Sequence, residues 1–331
     1  MEIGEDGAPL WAIVPPPTEL LQGPLKDLFA RRQSKQVLDA FDTFFGDAPD
    51  GPRLRSRFGT MAAAVAARFK DEPGVVGIEL YNEPVATDDL VVRFHREIIP
   101  AVRAAAPKKV ILFEPSAFRN FLDTALIGNG SLDPGSAYAP HVYTFSFSPG
   151  GDENGVFPKE KLRPSNVAAR AEADGWQAPL VITEYGFDPK RAGYLSYVQG
   201  QHALQDEMRA SRYYWVWKEN SQDSWGFFSY APESGFTERP DVVDVMSWVR
   251  LEAVAGLVET INYDPSARRL RVTFEGAAAI TAPNLVSVGR AKGFGSIEAK
   301  CDGATVPVTK AEPLVIPCNG DGAHELIVEG R

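Results

Sequence analysis

Apolar residues recur along this chain with two periods, and the change of period marks its parts. Val37, Leu38, Phe41, Phe44 and Phe45 fall at helical spacing within 36–45. Phe58, Met61, Ala62, Val65, Ala66 and Phe69 form a second stripe within 55–69, with Arg57, Arg68 and Lys70 outside it. Asp71-Glu72-Pro73-Gly74 ends that helix. The short run from Val75 to Leu80 then reads as a buried strand, closed by Asn82-Glu83-Pro84 because proline donates nothing to a ladder. From there strands predicted at 109–115, 138–143, 180–186 and 213–217 alternate with helices at 89–106, 118–125, 165–175 and 193–210. Such alternation predicts a parallel sheet.

Spacing favours a barrel. A β/α barrel averages ~31 residues per unit. Glu83 and Glu184 are 101 residues apart, close to three such units. The expected fold class is therefore α/β, a (β/α)8 TIM-barrel type with about five strands of its own. Residues 1–33 read as an irregular segment with an apolar edge, Trp11-Ala12-Ile13-Val14. A last helix is predicted over 242–251. From Val258 the pattern turns to short strands separated by turn residues such as Asp264-Pro265-Ser266 and Asn319-Gly320, which predicts a small C-terminal β-sandwich. The domain boundaries that follow are 1–251 for the barrel part and 252–331 for the β module.

Composition narrows the class. The chain has 331 residues, 44% hydrophobic and 24% charged, and a formal net charge of -10. That charge argues against nucleic-acid or anionic-membrane partners. No apolar run approaches the ~20 residues of a membrane span. The acidic start, Met1-Glu2-Ile3-Gly4-Glu5-Asp6, is not the positively charged start of a signal peptide, and the compartment stays open. Cys301 and Cys318 either form one disulfide or remain thiols, and they lack the spacing of a zinc site.

Candidate chemistry sits at the predicted strand ends. Parallel α/β folds place their reactive groups there. Glu83 and Glu184 each end a strand, and two carboxyls facing each other across a sugar bond suffice for glycoside hydrolysis. Asn82 is placed to hold a sugar hydroxyl. His141 and Tyr143 point to one side of the strand between the two glutamates, and Tyr143 would keep a nucleophilic carboxylate ionised. Trp215 and Trp217 share a parity on the last strand and offer faces for sugar stacking. Glu114, Tyr185, Lys218 and Glu219 are candidate lining residues. His95, His202 and His324 are expected at the surface. No metal or organic cofactor is implied.

Asn82-Glu83-Pro84, His141-x-Tyr143, Glu184 and the Trp215/Trp217 strand resemble clan A retaining glycosidases, specifically glycoside hydrolase family 5. Ala66-Ala67-Arg68-Phe69 before Asn-Glu-Pro, and a β module entered through Ala253-Val254-Ala255-Gly256, look most like the endoglycoceramidase-related branch. The resemblance covers roughly residues 5 to 331. It implies that Glu83 is the acid/base, Glu184 the nucleophile and Asn82 the ligand of the 2-hydroxyl. His141 and Tyr143 would order the site, and a tryptophan would stack in the subsite. A retaining mechanism implies carboxyls about 5 Å apart. The implied substrate is a glycolipid of the glycosylceramide type, with a cellulase-like or mannanase-like polysaccharide hydrolase as the enzymatic alternative.

The resemblance breaks at the start of the chain. Only 74 residues precede the first clear strand, whereas three barrel units need ~93. The expectation is a chain lacking the family's first three strands, with an arginine and a histidine carried on them. Open sheet edges would then be an aggregation liability. Two further readings follow: an inactive carbohydrate-binding remnant, or a partner fragment that supplies the N-terminal strands.

Overall fold

The computed structural model describes residues 8–18, 33–147, 151, 155–218, 225–291, 294–309 and 311–331. A single 3-10 turn, Leu10–Ala12, precedes helices α1 (Lys35–Phe45) and α2 (Gly51–Phe69). Strand β1 (Gly77–Glu79), α3 (Asp88–Ala105), β2 (Val110–Phe113), the short α4 (Arg119–Leu122), β3 (Ser136–Tyr138) and β4 (His141–Val142) follow. Next come α5 (Lys159–Gly175), β5 (Val181–Tyr185), α6 (Tyr194–Glu207), β6 (Ser211–Tyr214), the hairpin β7 (Phe228–Ala231) and β8 (Gly235–Glu238), and α7 (Pro240–Met246). The chain closes with β9 (Arg250–Ala253), β10 (Gly256–Asp264), β11 (Arg269–Gly276), β12 (Asn284–Ser287), β13 (Ile297–Cys301), β14 (Ala304–Val306), β15 (Leu314–Ile316) and β16 (Gly322–Gly330). Two compact units divide the chain: Met1–Val142 with Ala168–Thr183, and Tyr143–Val167 with Glu184–Arg331.

In the first unit the strand–helix alternation yields parallel strands. Gly77 lies opposite Val110 in the β1–β2 pair, and Ile111 opposite Ser136 in the β2–β3 pair. Tyr138 bridges Leu180 in parallel, just before β5. The strand expected over 138–143 is split between β3 and β4 by Ala139-Pro140, since Pro140 has no N–H to give. Helix α1 buries Val37, Phe41, Phe44 and Phe45, as its period predicts. Helix α2 differs from expectation: Met61 and Val65 are 53% and 43% exposed, and Leu54, Gly59, Ala62 and Ala66 face inward. Small residues let α3 come close, and a Cβ on Gly59 would meet Ile98 Cδ1 at 3.1 Å. Tyr81, just before the Asn-Glu-Pro turn, is held by Phe44, Phe45, Phe58 and Phe94, with ring centroids 5.3 to 5.7 Å away. This aromatic cluster anchors the segment that carries Glu83.

In the second unit α6 is buried along most of its length, including Tyr197, Val198, Gln201, His202 and Leu204. The hairpin β7–β8 was not legible in the hydrophobic pattern. The last helix ends at Met246, earlier than expected, and Arg250–Ala253 enter a strand. Two antiparallel sheets follow, ordered β10-β11-β16-β13-β14 and β15-β12-β9. Leu270, Val272 and Phe274 alternate inward along β11, while Arg269 and Arg271 outside it pair with Glu329 and Glu325. Val249, Val286, Leu314, Ile316, Leu326 and Val328 complete the buried cluster.

Cys301 and Cys318 form a disulfide across this module, with their Cα atoms 5.4 Å apart. A bridge closing a loop of this size stabilises by about 3 kcal/mol in the chain-entropy account. Replacing both cysteines by alanine is expected to remove most of that from the module's denaturant unfolding. An unchanged midpoint would show that the bridge contributes nothing.

Candidate active site

The first unit gathers polar groups around Glu83. The backbone there has φ 49°, in the left-handed region that costs a non-glycine residue on the order of 1 kcal/mol or more. The surroundings hold it. Asn120 Nδ2 donates to Glu83 Oε1 at 2.7 Å, and His141 Nδ1 lies 3.1 Å from the same oxygen. The Glu83 N–H donates to Glu114 Oε2 at 3.0 Å, and that oxygen is 3.4 Å from His141 Nε2. The imidazole therefore sits between two carboxyls. Asn82, next to them, is exposed.

Buried polar contacts fix these groups from behind. Arg119 Nη1 donates to the His141 carbonyl at 3.0 Å, and Arg119 Nε donates to Glu172 at 2.7 Å in an ion pair with both side chains 1% exposed. Glu172 also accepts from the Tyr138 hydroxyl at 2.7 Å. His95 and His202, expected at the surface, are instead 1% exposed, because both lie on the inner faces of their helices. His95 Nε2 donates to the Glu114 carbonyl at 2.7 Å. Burial pushes its pKa down to about 4. Burial is also the main reason the Glu114 carboxyl stands well above the usual range, with the neighbouring Glu79 and Glu83 adding to it and His141 opposing.

The second unit places Glu184 at the end of β5. The Tyr143 hydroxyl donates to Glu184 Oε2 at 2.8 Å. Tyr143 also packs against Phe147 and Trp225, with centroids 5.4 and 6.3 Å away. Gly186 is required here, since a Cβ would come within 2.4 Å of the Trp215 carbonyl. Trp215, which follows β6, is 39% exposed, and its N–H donates to the Tyr185 carbonyl at 2.8 Å. Trp217 is 62% exposed and lies against Phe227 and Phe228. Tyr185 turns away from a lining role, with its hydroxyl 2.7 Å from His202 Nε2. Lys218 sits 4.3 Å over the Phe236 ring, and Glu219 lies outside the described residues.

Asn120 and Trp225 were missed from the sequence. Asn120 sits on a one-turn helix with no motif around it, and Trp225 lies beyond the last predicted barrel strand. Glu79, Glu114 and His141 bring possible ligand atoms within 4.8 Å of one another. A cation there would need an ionised Glu114, against the direction in which burial pushes that carboxyl. The cysteines near Asp302 and His324 are consumed by the disulfide.

The fold is similar to that of solved endoglycoceramidase structures. Endo-glycoceramidase II from Rhodococcus sp., in complex with ganglioside GM3, matches with a TM-score of 0.78 at 23% identity, over 98% of this chain and 74% of that one. An endogalactoceramidase structure matches with a TM-score of 0.72 at 20% identity, over 98% of this chain and 71% of its own. Among curated proteins, endoglycoceramidase I of Rhodococcus hoagii (strain 103S) is 26% identical over 209 residues, 55% of this chain. That match spans only 41% of the relative's length. The family model described as cellulase, glycosyl hydrolase family 5, matches residues 44–221, more than half of the chain. The chain belongs to glycosyl hydrolase family 5.

His95 gives this half-site a pH signature. Its pKa falls from 6.5 in the unfolded chain to about 4 when folded. Stability from this group is complete above pH 6.5 and is lost as pH falls toward about 4, at up to ~1.4 kcal/mol per pH unit. His95→Gln keeps a donor for the Glu114 carbonyl and removes the titration. It is expected to flatten urea-melt stability between pH 6.5 and 4 relative to the parent. Parallel curves would contradict this.

Proposed function

We propose that the protein carrying this chain is a retaining β-glycosidase acting by double displacement. Glu184 attacks the anomeric carbon while Glu83 protonates the leaving oxygen. Glu83 then takes a proton from water, which releases the sugar. Tyr143 stabilises the ionised nucleophile through its hydroxyl, and His141 with Asn120 orients the acid/base. Asn82 binds the 2-hydroxyl, and Trp215 and Trp217 supply stacking faces.

One observation carries this reading. Glu83 is bonded through His141 and Glu184 through Tyr143, two residues apart in the chain. The reading requires the two carboxyls at the ~5–5.5 Å spacing of retaining enzymes. We read β1 to β6 as strands of a (β/α)8 barrel and the two C-terminal sheets as a sandwich packed on a shared core.

For substrate we favour a glycolipid of the glycosylceramide type. Asn120 holds the proposed acid, so the leaving group is handled near α4. Around it Phe118, Phe121, Leu122 and Ile127 are 45%, 61%, 69% and 59% exposed, a run that suits an apolar aglycone. Leu10 and Trp11, each 59% exposed, offer a further apolar edge. The named specificity of the endoglycoceramidase relatives agrees. The cellulase description of the family model keeps a β-glucan hydrolase as the second reading.

Hydrolysis of a glycosylceramide compared with a soluble β-glucan separates the two, and the ceramide is expected to be the better substrate. Glu83→Ala is expected to slow natural-substrate turnover by ~10²–10⁴-fold. On glycosides whose leaving group departs without protonation, such as dinitrophenyl glycosides, it should spare the first step, read as kcat/KM, while release of the sugar stays slow. Glu184→Ala should abolish turnover of both. Equal loss on both substrates with Glu83→Ala would remove the general-acid assignment.

A further inference from the structure

We propose that Glu114 is a positioning residue of this site, a neutral buried acid whose carboxyl clamps the Glu83 backbone and the His141 ring. The inference rests on the reading of Glu83 as acid/base. Glu114 immediately follows β2 and is 3% exposed. Its Oε2 accepts the Glu83 N–H at 3.0 Å, at the residue whose left-handed backbone needs holding. The same oxygen lies 3.4 Å from His141 Nε2, and the other imidazole nitrogen reaches Glu83 Oε1. One carboxyl therefore touches both the backbone of the proposed acid and the ring that orients its side chain.

The surroundings require that carboxyl to be uncharged. Burial disfavours its charge first, and Glu79 and Glu83 add like charge, while His141 and the hydrogen bond from the Glu83 N–H pull the other way. Behind it lies a cavity of about 20 Å³, lined also by Asp88, His95, Tyr138 and Trp176, with room for about one water. Glu114 Oε1 is buried with no hydrogen-bond partner among the described residues. A neutral acid meets these conditions at far lower cost than an anion. His95 fixes the backbone on the opposite side: a carbonyl only accepts, so His95 Nε2 carries the proton in its bond to the Glu114 oxygen. As a neutral imidazole, His95 adds no charge that would stabilise an ionised Glu114.

Glu114→Gln supplies the same shape, an oxygen for the Glu83 N–H and no charge. It is expected to retain kcat within about 3-fold, whereas Glu114→Leu loses about 100-fold, mainly in kcat with KM little changed. The ¹⁵N resonances of His141 should be conserved in Glu114→Gln and displaced in Glu114→Leu. A glutamine variant as inactive as the leucine one would show that Glu114 works as an anion and overturn the proposal. Full activity in the leucine variant would overturn it too.

Stability supplies a readout that needs no turnover. Below the ordinary carboxyl range Glu114 is protonated both folded and unfolded. As pH rises, the unfolded chain releases its proton first, so parental stability falls until the raised folded value is passed. Glu114→Gln should match the parent in acid and exceed it at pH 7, and coincident curves would overturn the neutral-acid assignment. If Glu83→Gln leaves hydrolysis intact, the acid/base reading fails. The imidazole resonances and the stability curves would still report on the clamp by themselves.

Discussion

A half-buried carboxyl held on a left-handed backbone must be given partners, and the way Glu83 gets them governs the groups around it. Its side chain takes bonds from Asn120 and the His141 ring, and its backbone gives one to Glu114. None of these partners lies near it in sequence. Each is delivered by a different element: β2, the short α4, and the start of β4. The parallel pairing of β1, β2 and β3 sets those elements in order, and the aromatic cluster around Tyr81 holds the turn that carries Glu83. Chemistry at this position is thus a consequence of strand registry.

Glu184 accepts a bond from the Tyr143 hydroxyl, and Tyr143 packs in an aromatic group with Phe147 and Trp225. Among the bonds named above, Glu83 meets an amide and an imidazole and Glu184 a phenol. Such a division suits an acid/base and a nucleophile working at the same pH.

Much of this was legible in the sequence. Strands near four of the five predicted segments and the Asn-Glu-Pro turn follow from alternation and from the positions of proline, whereas the segment 138–143 is split in two and Tyr143, Trp215 and Trp217 lie beyond the strand ends. Membership in family 5 follows from the same residues. Other features were hidden for physical reasons. His95 and His202 look like surface residues because periodicity does not reveal a polar group that is satisfied inside. Asn120 carries no pattern on a single helical turn. The strand Leu314–Ile316 is flanked by Pro313 and Pro317, which mask a strand signal that a buried core position nevertheless enforces. The hairpin 228–238 is too short and too exposed to alternate clearly.

The central claim is that Glu184 forms a covalent bond to the sugar while Glu83 manages the proton. Incubating the protein with an activated 2-deoxy-2-fluoroglycoside, followed by proteolysis and mass spectrometry, tests this directly. The account predicts one glycosyl adduct, on the peptide carrying Glu184, and none in Glu184→Gln. Turnover that inverts the anomeric configuration with no adduct, or an adduct on a different carboxyl, would contradict it.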